Sequence, residues 1–295
     1  MSAADIHHPG VGRRSDASIR EALGGAVDAL AAAGVEDPRL DAEVLLCEAT
    51  GWGRADLATD PGRGVPPPAA RRFGEMVRRR LRREPVAYIV GRKGFRHIEL
   101  AVDRRVLVPR PETELLVELA LELRPRRLLD VGTGSGAIAL AVAHELPECE
   151  VTATDTSAAA LQVARANAER LGLAERVRFV QGSSPGEGTD GTGRGFDLVL
   201  ANLPYISEAE WGSLRPEVTE WEPREALLAG PDGLDAIRAA IPAMSELAPA
   251  LALEVGQGQA ETVSTMLRDA RFGAVETRRD LAGIERVVVG RREAG

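Results

Sequence analysis

The sequence has no long hydrophobic run, only two cysteines and a single lysine, Lys93. None of its apolar stretches approaches the roughly 18–20 residues of a membrane helix, so we expect no membrane span. The cysteines, Cys47 and Cys149, are far apart in the chain, which predicts no disulfide framework and indicates a reducing, cytoplasmic location. Apart from Lys93, the Lys and Arg positions are all arginine, and we interpret this bias as a coding bias rather than a chemical requirement of the protein.

Several other features are missing. Residues 1–14 lack the apolar segment of a secretion signal, and we expect them to form a disordered tail. The pair His7-His8 has no accompanying cysteine or carboxylate set, so no metal site is predicted. The net charge of −8 argues against broad, non-specific binding to nucleic acid. We therefore expect neither a membrane nor nucleic acid as a direct partner. We also expect the protein to be a monomer.

The first part of the chain predicts a small helical domain over residues 15–84. Ser18 and Glu21 have the spacing of a capping box at a helix start, and three further amphipathic segments follow. The fourth segment carries seven arginines against one acid, Glu75. Such a cluster indicates either a solvated helix face or a docking patch for an acidic or RNA-bearing partner.

Residues 85–110 predict a β-hairpin linker, because two β-prone runs flank Gly91-Arg-Lys-Gly94. From there a second domain is predicted over residues 111–295. After residue 126 its short apolar strands alternate with amphipathic helices. Repeated β-α units predict an α/β fold with a parallel sheet and helices on both faces.

A glycine-rich segment, Gly132-Thr133-Gly134-Ser135-Gly136, follows the first of these strands, and Asp155 ends the second. Glycines at a strand-to-helix turn let the backbone approach a ligand, and a carboxylate about 19 residues later can accept both ribose hydroxyls. The pattern alone also fits a dinucleotide. Asp130, just before the turn, favours S-adenosylmethionine because an acid could meet its ammonium group but would repel a pyrophosphate.

The apolar run 196–201 predicts a buried strand that ends at Asn202-Leu203-Pro204-Tyr205. The Asn202 side chain and the Leu203 carbonyl offer acceptors, while Tyr205 offers a flat face for stacking. This combination suits an NH₂ group on a planar system, either a primary amide or the amino group of a base. Asn and Pro are also ordinary turn formers, so a plain turn remains an alternative.

Six sequence blocks, taken together and in this order, resemble the release-factor glutamine methyltransferases (the PrmC/HemK family) over nearly the whole chain. They are EPVAYIVGRKGF (84–95), VLVPRPETELLVE (106–118), LLDVGTGSGAIALAVA (128–143), ANLPYI (201–206), EPREALLAGPDGLD (222–235) and EVGQGQ (254–259). The resemblance implies a helical N-terminal domain for release-factor docking, a β-hairpin linker and a Rossmann-like methyltransferase domain. It also implies methyl transfer from S-adenosylmethionine to the side-chain amide nitrogen of the glutamine in a Gly-Gly-Gln loop of peptide-chain release factors.

By position, the resemblance implies that Gly132–Gly136, Asp155 and Asn202 bind the cofactor. It further implies that Asn202, Leu203, Pro204 and Tyr205 frame the glutamine, with Asn202, Pro204 and Tyr205 catalytic. Two departures bear on this assignment: Leu203 stands where the family usually has proline, and Gly182-Ser183-Ser184 replaces an Asp-aromatic pair near the adenine.

Asn-Leu-Pro-Tyr is also similar to the motif of rRNA adenine dimethyltransferases. An N6-adenine nucleic-acid methyltransferase and a small-molecule N-methyltransferase therefore remain alternatives. The segment 186–195 is expected to form a flexible loop.

Overall fold

The computed structural model describes residues 17–182 and 195–292. The predicted tail, His7-His8, Ser183-Ser184 and nearly all of the 186–195 loop lie outside these ranges. The chain divides into two compact units, Met1–Val90 and Gly91–Gly295. Within the described ranges, no helix has both the length and the apolar character needed to cross a bilayer.

The first unit is helical, as predicted. Its helices are α1 (Ile19–Ala32), α2 (Pro38–Thr50), α3 (Arg54–Thr59), α4 (Pro67–Leu81) and α5 (Val86–Val90). The capping box is confirmed: the Ser18 hydroxyl accepts the Glu21 N–H, and the Glu21 carboxylate accepts the Ser18 N–H at 2.8 Å. Fully buried Ile19, Leu30 and Leu45 help to form the core of this unit.

Most of the arginines in the cluster over residues 71–83 make bonds within the helical unit itself. Arg72 pairs with Glu48 at 2.6 Å, and Arg83 donates to the backbone carbonyls of Ala33 and Gly34. Arg80 is only 6% exposed and donates to Asp41 at 2.7 Å. These arginines stabilise the helical unit, and the docking-patch interpretation is left with the exposed Arg71, Arg78 and Arg82.

The predicted hairpin is displaced along the chain. Residues 86–90 form a helical turn, α5, and the hairpin consists of β1 (Arg92–Phe95) and β2 (Ile98–Ala101). The prediction of a strand before Gly91 was therefore wrong. The physical reason is a side chain of the preceding helix: the Arg79 guanidinium binds Glu84 and donates to the carbonyls of Tyr88 and Ile89, which satisfies the end of the short helix.

The hairpin falls in the second compact unit, where it is fixed to the sheet domain through Asn167. The Asn167 carbonyl oxygen accepts the Ala101 N–H at 2.7 Å, and its amide donates to the Ala101 carbonyl at 3.0 Å. The same amide donates to the Ser135 carbonyl at 2.9 Å. A single buried side chain thus connects the hairpin to the glycine-rich turn.

The rest of the second unit alternates helices and strands as predicted. A 3₁₀ turn (Pro111–Thr113) leads into α6 (Glu114–Leu123), β3 (Arg127–Val131), α7 (Ala137–Glu145), β4 (Glu150–Asp155), α8 (Ala158–Arg170), β5 (Val177–Gln181) and β6 (Leu198–Ala201). The short helices α9 (Glu208–Trp211) and α10 (Pro216–Thr219) and a 3₁₀ turn (Arg224–Ala226) follow, then α11 (Asp235–Ser245), β7 (Ala250–Glu254), α12 (Ala260–Asp269), β8 (Ala274–Arg279) and β9 (Glu285–Arg291).

The seven strands form one sheet in the order β5-β4-β3-β6-β7-β9-β8. All neighbouring pairs are parallel except those made by β9, which is antiparallel to both β7 and β8. The predicted α/β class is confirmed. The chain order reverses at β3, between β4 and β6, and ligands of open α/β sheets bind at the carboxyl ends of strands beside such a reversal.

Register brings the two predicted motifs together. Val131, the last residue of β3, is paired with Ala201, the last residue of β6. The glycine-rich turn and the Asn202 tetrapeptide therefore leave the sheet side by side, although about 70 residues separate them in sequence.

Candidate active site

The glycine-rich turn requires its glycines for conformation. Gly132, Gly134 and Gly136 all have positive φ, at 76°, 56° and 86°. The N–H groups of Gly132 and Thr133 both donate to the Thr154 carbonyl at 2.9 Å, which fixes the turn against β4. A Cβ on Gly136 would lie 2.8 Å from Leu140 Cδ1, so this glycine also serves helix packing.

Asp155 ends β4 and faces the glycine-rich turn. Its Oδ2 accepts the Gly134 N–H at 2.9 Å, and its Oδ1 accepts the Ser157 N–H at 2.8 Å. Each carboxylate oxygen has a second lone pair, and the residue lines a cavity. Asp155 is thus held by backbone donors in one orientation and keeps two acceptor positions for a ligand.

Asp130 is buried and does not make the ligand contact that the sequence analysis expected. It is fully buried, and its Oδ2 accepts the Thr133 hydroxyl at 2.6 Å and the Ala139 N–H at 3.2 Å. Burial raises the pKa of this carboxyl to about 7, against the lowering effect of those two hydrogen bonds. Asp130 is not part of the cavity lining, so the expected direct contact with a cofactor ammonium is not supported. It instead ties the glycine-rich turn to the start of α7.

Asn202 follows β6 and is held by a residue that the sequence did not single out. Its amide nitrogen donates to the Thr113 hydroxyl oxygen at 3.1 Å, across 89 residues of sequence. Thr113 itself is buried in the 3₁₀ turn before α6. With the amide nitrogen engaged, the Asn202 carbonyl oxygen is the group available as an acceptor at the cavity wall.

Leu203 and Pro204 continue the wall beyond Asn202. A Cβ on Gly132 would lie 3.3 Å from Leu203 Cδ2 and 3.5 Å from the backbone carbonyl oxygen of Asn202. The missing side chain at Gly132 therefore lets the tetrapeptide lie directly on the glycine-rich turn. Among the described residues, no hydrogen bond uses the Leu203 carbonyl.

Tyr205 is placed differently from its predicted stacking role. It is not among the residues that line the cavity, and its hydroxyl donates to Glu254 Oε1 at 3.2 Å. Its backbone carbonyl accepts the Gln259 side-chain amide at 2.9 Å. Burial and the neighbouring carboxylate raise the pKa of the Tyr205 phenol above its usual range. The ring supports the tetrapeptide from behind.

Glu254, at the end of β7, is the second residue that the sequence analysis missed. It is only 1% exposed, and burial raises its pKa to about 7, while hydrogen bonding with Thr113 and Tyr205 acts in the opposite direction. A charged residue inside the otherwise apolar run ALALEV was the available signal, because a buried acid in a strand requires partners.

These groups share one cavity of about 470 Å³, within the usual range for small-molecule sites. One part of its wall is formed by the glycine-rich turn, Asp155 and Gly182, and another by the residues around Asn202. Of the predicted site residues, the lining includes Gly132, Thr133, Gly134, Ser135, Asp155, Asn202, Leu203 and Pro204; it does not include Gly136 or Tyr205.

One feature of this wall fits S-adenosylmethionine. Asp155 presents its carboxylate beside a glycine-lined turn, as a ribose requires. Four alanines of α11 line the same cavity with small apolar side chains: Ala236, Ala239, Ala240 and Ala243.

Comparison with family models and relatives identifies the family of this chain. The model of the PrmC N-terminal domain matches residues 21–91, and a methyltransferase domain model matches residues 128–221. The release factor glutamine methyltransferase of Nitratidesulfovibrio vulgaris is 42% identical over 94% of this chain and 96% of its own. That of Moorella thermoacetica is 45% identical over 85% of this chain and 90% of its own. The chain belongs to the release factor glutamine methyltransferase family.

Membership of this family confirms the predicted enzyme class: the chain is a methyltransferase, and S-adenosylmethionine is its methyl donor. Solved structures confirm the fold. The human METTL16 catalytic domain, crystallised with a 3′UTR hairpin, has a TM-score of 0.51 at 16% identity, covering 66% of this chain and 76% of its own. A human methyltransferase 10 domain containing protein also has a TM-score of 0.51, at 14% identity, covering 66% and 88%.

Proposed function

We propose that this chain methylates the side-chain amide nitrogen of the glutamine in the Gly-Gly-Gln loop of peptide-chain release factors. The observation that carries the proposal is the anchored amide of Asn202. Its nitrogen is bound to Thr113, so an acceptor oxygen is available in the same cavity as Asp155. A primary amide brings two N–H donors and therefore needs acceptors at this position.

In this proposal the glycine-rich turn and Asp155 bind the cofactor. Asp155 would accept the ribose hydroxyls, and residues 132–136 would approach the ligand through their backbone. When bound there, the cofactor supplies an electrophilic methyl group on a sulfonium. Asn202, which follows β6 beside the glycine-rich turn, would contact both cofactor and glutamine.

The tetrapeptide would orient the glutamine. An amide nitrogen is a poor nucleophile because its lone pair is delocalised into the carbonyl group. Two acceptors, the Asn202 oxygen and the Leu203 carbonyl, would bind its N–H groups and direct the nitrogen toward the methyl donor. They would also stabilise positive charge as it develops on that nitrogen. Leu203 provides the same backbone carbonyl as the proline usual in the family, and Pro204 limits the direction of that carbonyl.

No dedicated base is needed, since the substrate nitrogen loses its proton readily once it carries the methyl group. Tyr205 would act from behind the wall, where its hydroxyl is bound to Glu254. We further propose that the chain acts as a cytoplasmic monomer, that residues 15–84 dock the release factor, and that nucleic acid is not a substrate. The net charge of −8 supports this last point.

A substrate comparison tests the proposal. The protein is incubated with methyl-labelled S-adenosylmethionine and, separately, with a release factor, ribosomal RNA and DNA. We expect label on the release factor alone. Label on RNA or DNA but not on the release factor would contradict the proposal in favour of an adenine methyltransferase. A release factor whose loop glutamine is replaced by alanine is the matched control and should remain unlabelled.

A further inference from the structure

Tyr205, the last residue of the tetrapeptide, is held at both of its ends by one segment. Its hydroxyl donates to Glu254 Oε1 at 3.2 Å, and its backbone carbonyl accepts the Gln259 side-chain amide at 2.9 Å. Glu254 and Gln259 are the first and last residues of the block EVGQGQ (254–259), which begins at the end of β7. None of these six residues lines the cavity. The block therefore supports the tetrapeptide from outside the site.

Backbone groups fix the orientation of the Gln259 amide. The Gly256 N–H donates to Gln259 Oε1 at 2.8 Å, so the oxygen side of the amide is engaged. The NH₂ side faces the Tyr205 carbonyl and donates more weakly to the Asp232 carbonyl at 3.4 Å. A backbone N–H only donates and a carbonyl only accepts, so the amide cannot turn over without losing both of its shorter bonds. Gln259 thus connects the loop after β7 to the tetrapeptide after β6.

The loop before α11 packs against the same carbonyl. Gly233 has a φ of 74°, and a Cβ on it would lie 2.3 Å from the backbone oxygen of Tyr205 and 2.8 Å from Gln259 Nε2. Only Pro204 separates Tyr205 from Leu203, and its ring fixes one of the few backbone torsions between them. The contacts at the Tyr205 carbonyl therefore limit the direction of the Leu203 carbonyl.

We propose that Gln259 is a positioning residue that acts through Tyr205 to direct the Leu203 carbonyl toward the substrate amide. This inference rests on the proposed function, because that carbonyl is the second acceptor proposed for the glutamine NH₂ group. Gln259 lies outside the cavity lining and contacts neither Asp155 nor the glycine-rich turn. Its loss should consequently lower kcat and leave cofactor binding unchanged.

Gln259→Glu tests this role with almost no change in shape. The new carboxylate can still accept the Gly256 N–H, but it presents an oxygen to the Tyr205 carbonyl and repels it. We expect kcat to fall about 10- to 100-fold, as when a group that positions the substrate is displaced. The Kd for S-adenosylhomocysteine should change less than about twofold, because the cofactor wall is not touched. Gln257→Glu makes the same chemical change at an exposed residue of the same loop and should keep the wild-type kcat.

Two glycines provide a second matched pair of variants. Gly233 and Gly258 have φ values of 74° and 85°, so alanine strains the backbone at both positions. A Cβ on Gly258 meets nothing within 4 Å, whereas one on Gly233 must displace the Tyr205 carbonyl. With kcat expressed per molecule that binds S-adenosylhomocysteine, which counts folded protein only, Gly233→Ala should be at least about tenfold slower than Gly258→Ala. Equal kcat values for the two variants would overturn the proposal.

A carbonyl signal reports on the positioning without any substrate. The sequence contains two Leu-Pro bonds, Leu146-Pro147 and Leu203-Pro204. Labelling leucine carbonyls with ¹³C and proline nitrogens with ¹⁵N therefore gives two coupled NMR signals, of which that of Leu146 is an internal reference. In Gln259→Glu we expect the Leu203 signal to shift while the Leu146 signal stays in place. In Gln257→Glu both signals should stay in place.

The outcomes separate positioning from stability and from the proposed function. An unchanged Leu203 signal in Gln259→Glu would overturn the proposal. A variant that only melts at a lower temperature, with kcat per folded molecule as in wild type, would overturn it as well, because Gln259 would then serve the fold alone. Failure of the wild-type protein to methylate any release factor would instead contradict the proposed function, while the carbonyl signals would still test whether Gln259 positions Leu203.

Discussion

Removing the Asp155 carboxylate is expected to weaken cofactor binding without abolishing the fold. In Asp155→Ala the two acceptor positions proposed for the ribose are lost, together with the bonds to the N–H groups of Gly134 and Ser157. A hydrogen bond to a charged group contributes about 1.5–3 kcal/mol, and water fills part of the vacated site. We therefore expect a loss of about 1–3 kcal/mol, or roughly 5- to 150-fold in Kd.

Calorimetric titration with S-adenosylmethionine measures this loss directly. A ribose-modified S-adenosylhomocysteine lacking its hydroxyls separates the two contributions. The wild-type protein should bind it more weakly than the parent compound, whereas Asp155→Ala should hardly distinguish the two. Such a double comparison isolates the contact between carboxylate and ribose from any loosening of the turn.

Ser157→Ala is the matched control for local disturbance. The Ser157 hydroxyl accepts the Ala160 N–H at the start of α8, and its loss costs about 1 kcal/mol of helix capping while Asp155 remains. We expect a lower melting temperature and nearly unchanged cofactor affinity. An unchanged Kd in Asp155→Ala would refute the assignment of Asp155 to the cofactor.

Three further predictions concern the wall of the cavity and its support. Asn202→Ala should reduce kcat by about 10²–10³ with little change in cofactor affinity, because it removes an acceptor that acts mainly as charge develops; equal losses in both quantities would contradict this role. Leu203→Pro should retain activity within several-fold in steady-state assays, because only the backbone carbonyl is required, and a collapse of kcat would show that the Leu203 side chain or N–H takes part. Asp130 has a folded-state pKa of about 7, above its ordinary value of 3.8, so the folded protein binds an additional proton between these values and loses stability as pH rises through that window. Denaturant unfolding of Asp130→Asn should lack this loss, and its stability relative to wild type should increase by up to about 4 kcal/mol between pH 4 and pH 8. A relative stability that does not change with pH would mean that Asp130 titrates normally.

Secondary structure and motif positions could be predicted from the sequence wherever the local residue pattern agrees with the burial that the fold imposes. The capping box at Ser18, the alternation of strands and helices after residue 126, and the meeting of the glycine-rich turn with Asn202 all follow from periodicity and from the geometry of parallel sheets. The hairpin was misplaced because residues 86–90 are β-prone by composition, yet Arg79 from another helix satisfies them as a helical turn. Secondary-structure propensity is a weak prior when a side chain from another helix supplies the missing hydrogen bonds.

The side chains that hold the site residues in place could not be predicted from local sequence patterns, for a similar reason. Thr113 is an unremarkable residue at a helix start, and only its contact with Asn202, 89 positions away, gives it a role. The predicted ligand contacts of Asp130 and Tyr205 are not supported, because chain position does not reveal which way a side chain turns. Both point into the protein, where Asp130 holds the glycine-rich turn and Tyr205 contacts Glu254.

The position of the transferred methyl group tests the central claim most directly. Purified release factor is incubated with the protein and S-adenosylmethionine, digested, and analysed by tandem mass spectrometry. The account predicts a single methyl group on the side-chain nitrogen of the Gly-Gly-Gln glutamine, and its absence when Asn202→Ala replaces the wild-type enzyme over the same short incubation. A methyl group on any other residue, or an unmodified release factor beside methylated RNA, would contradict it.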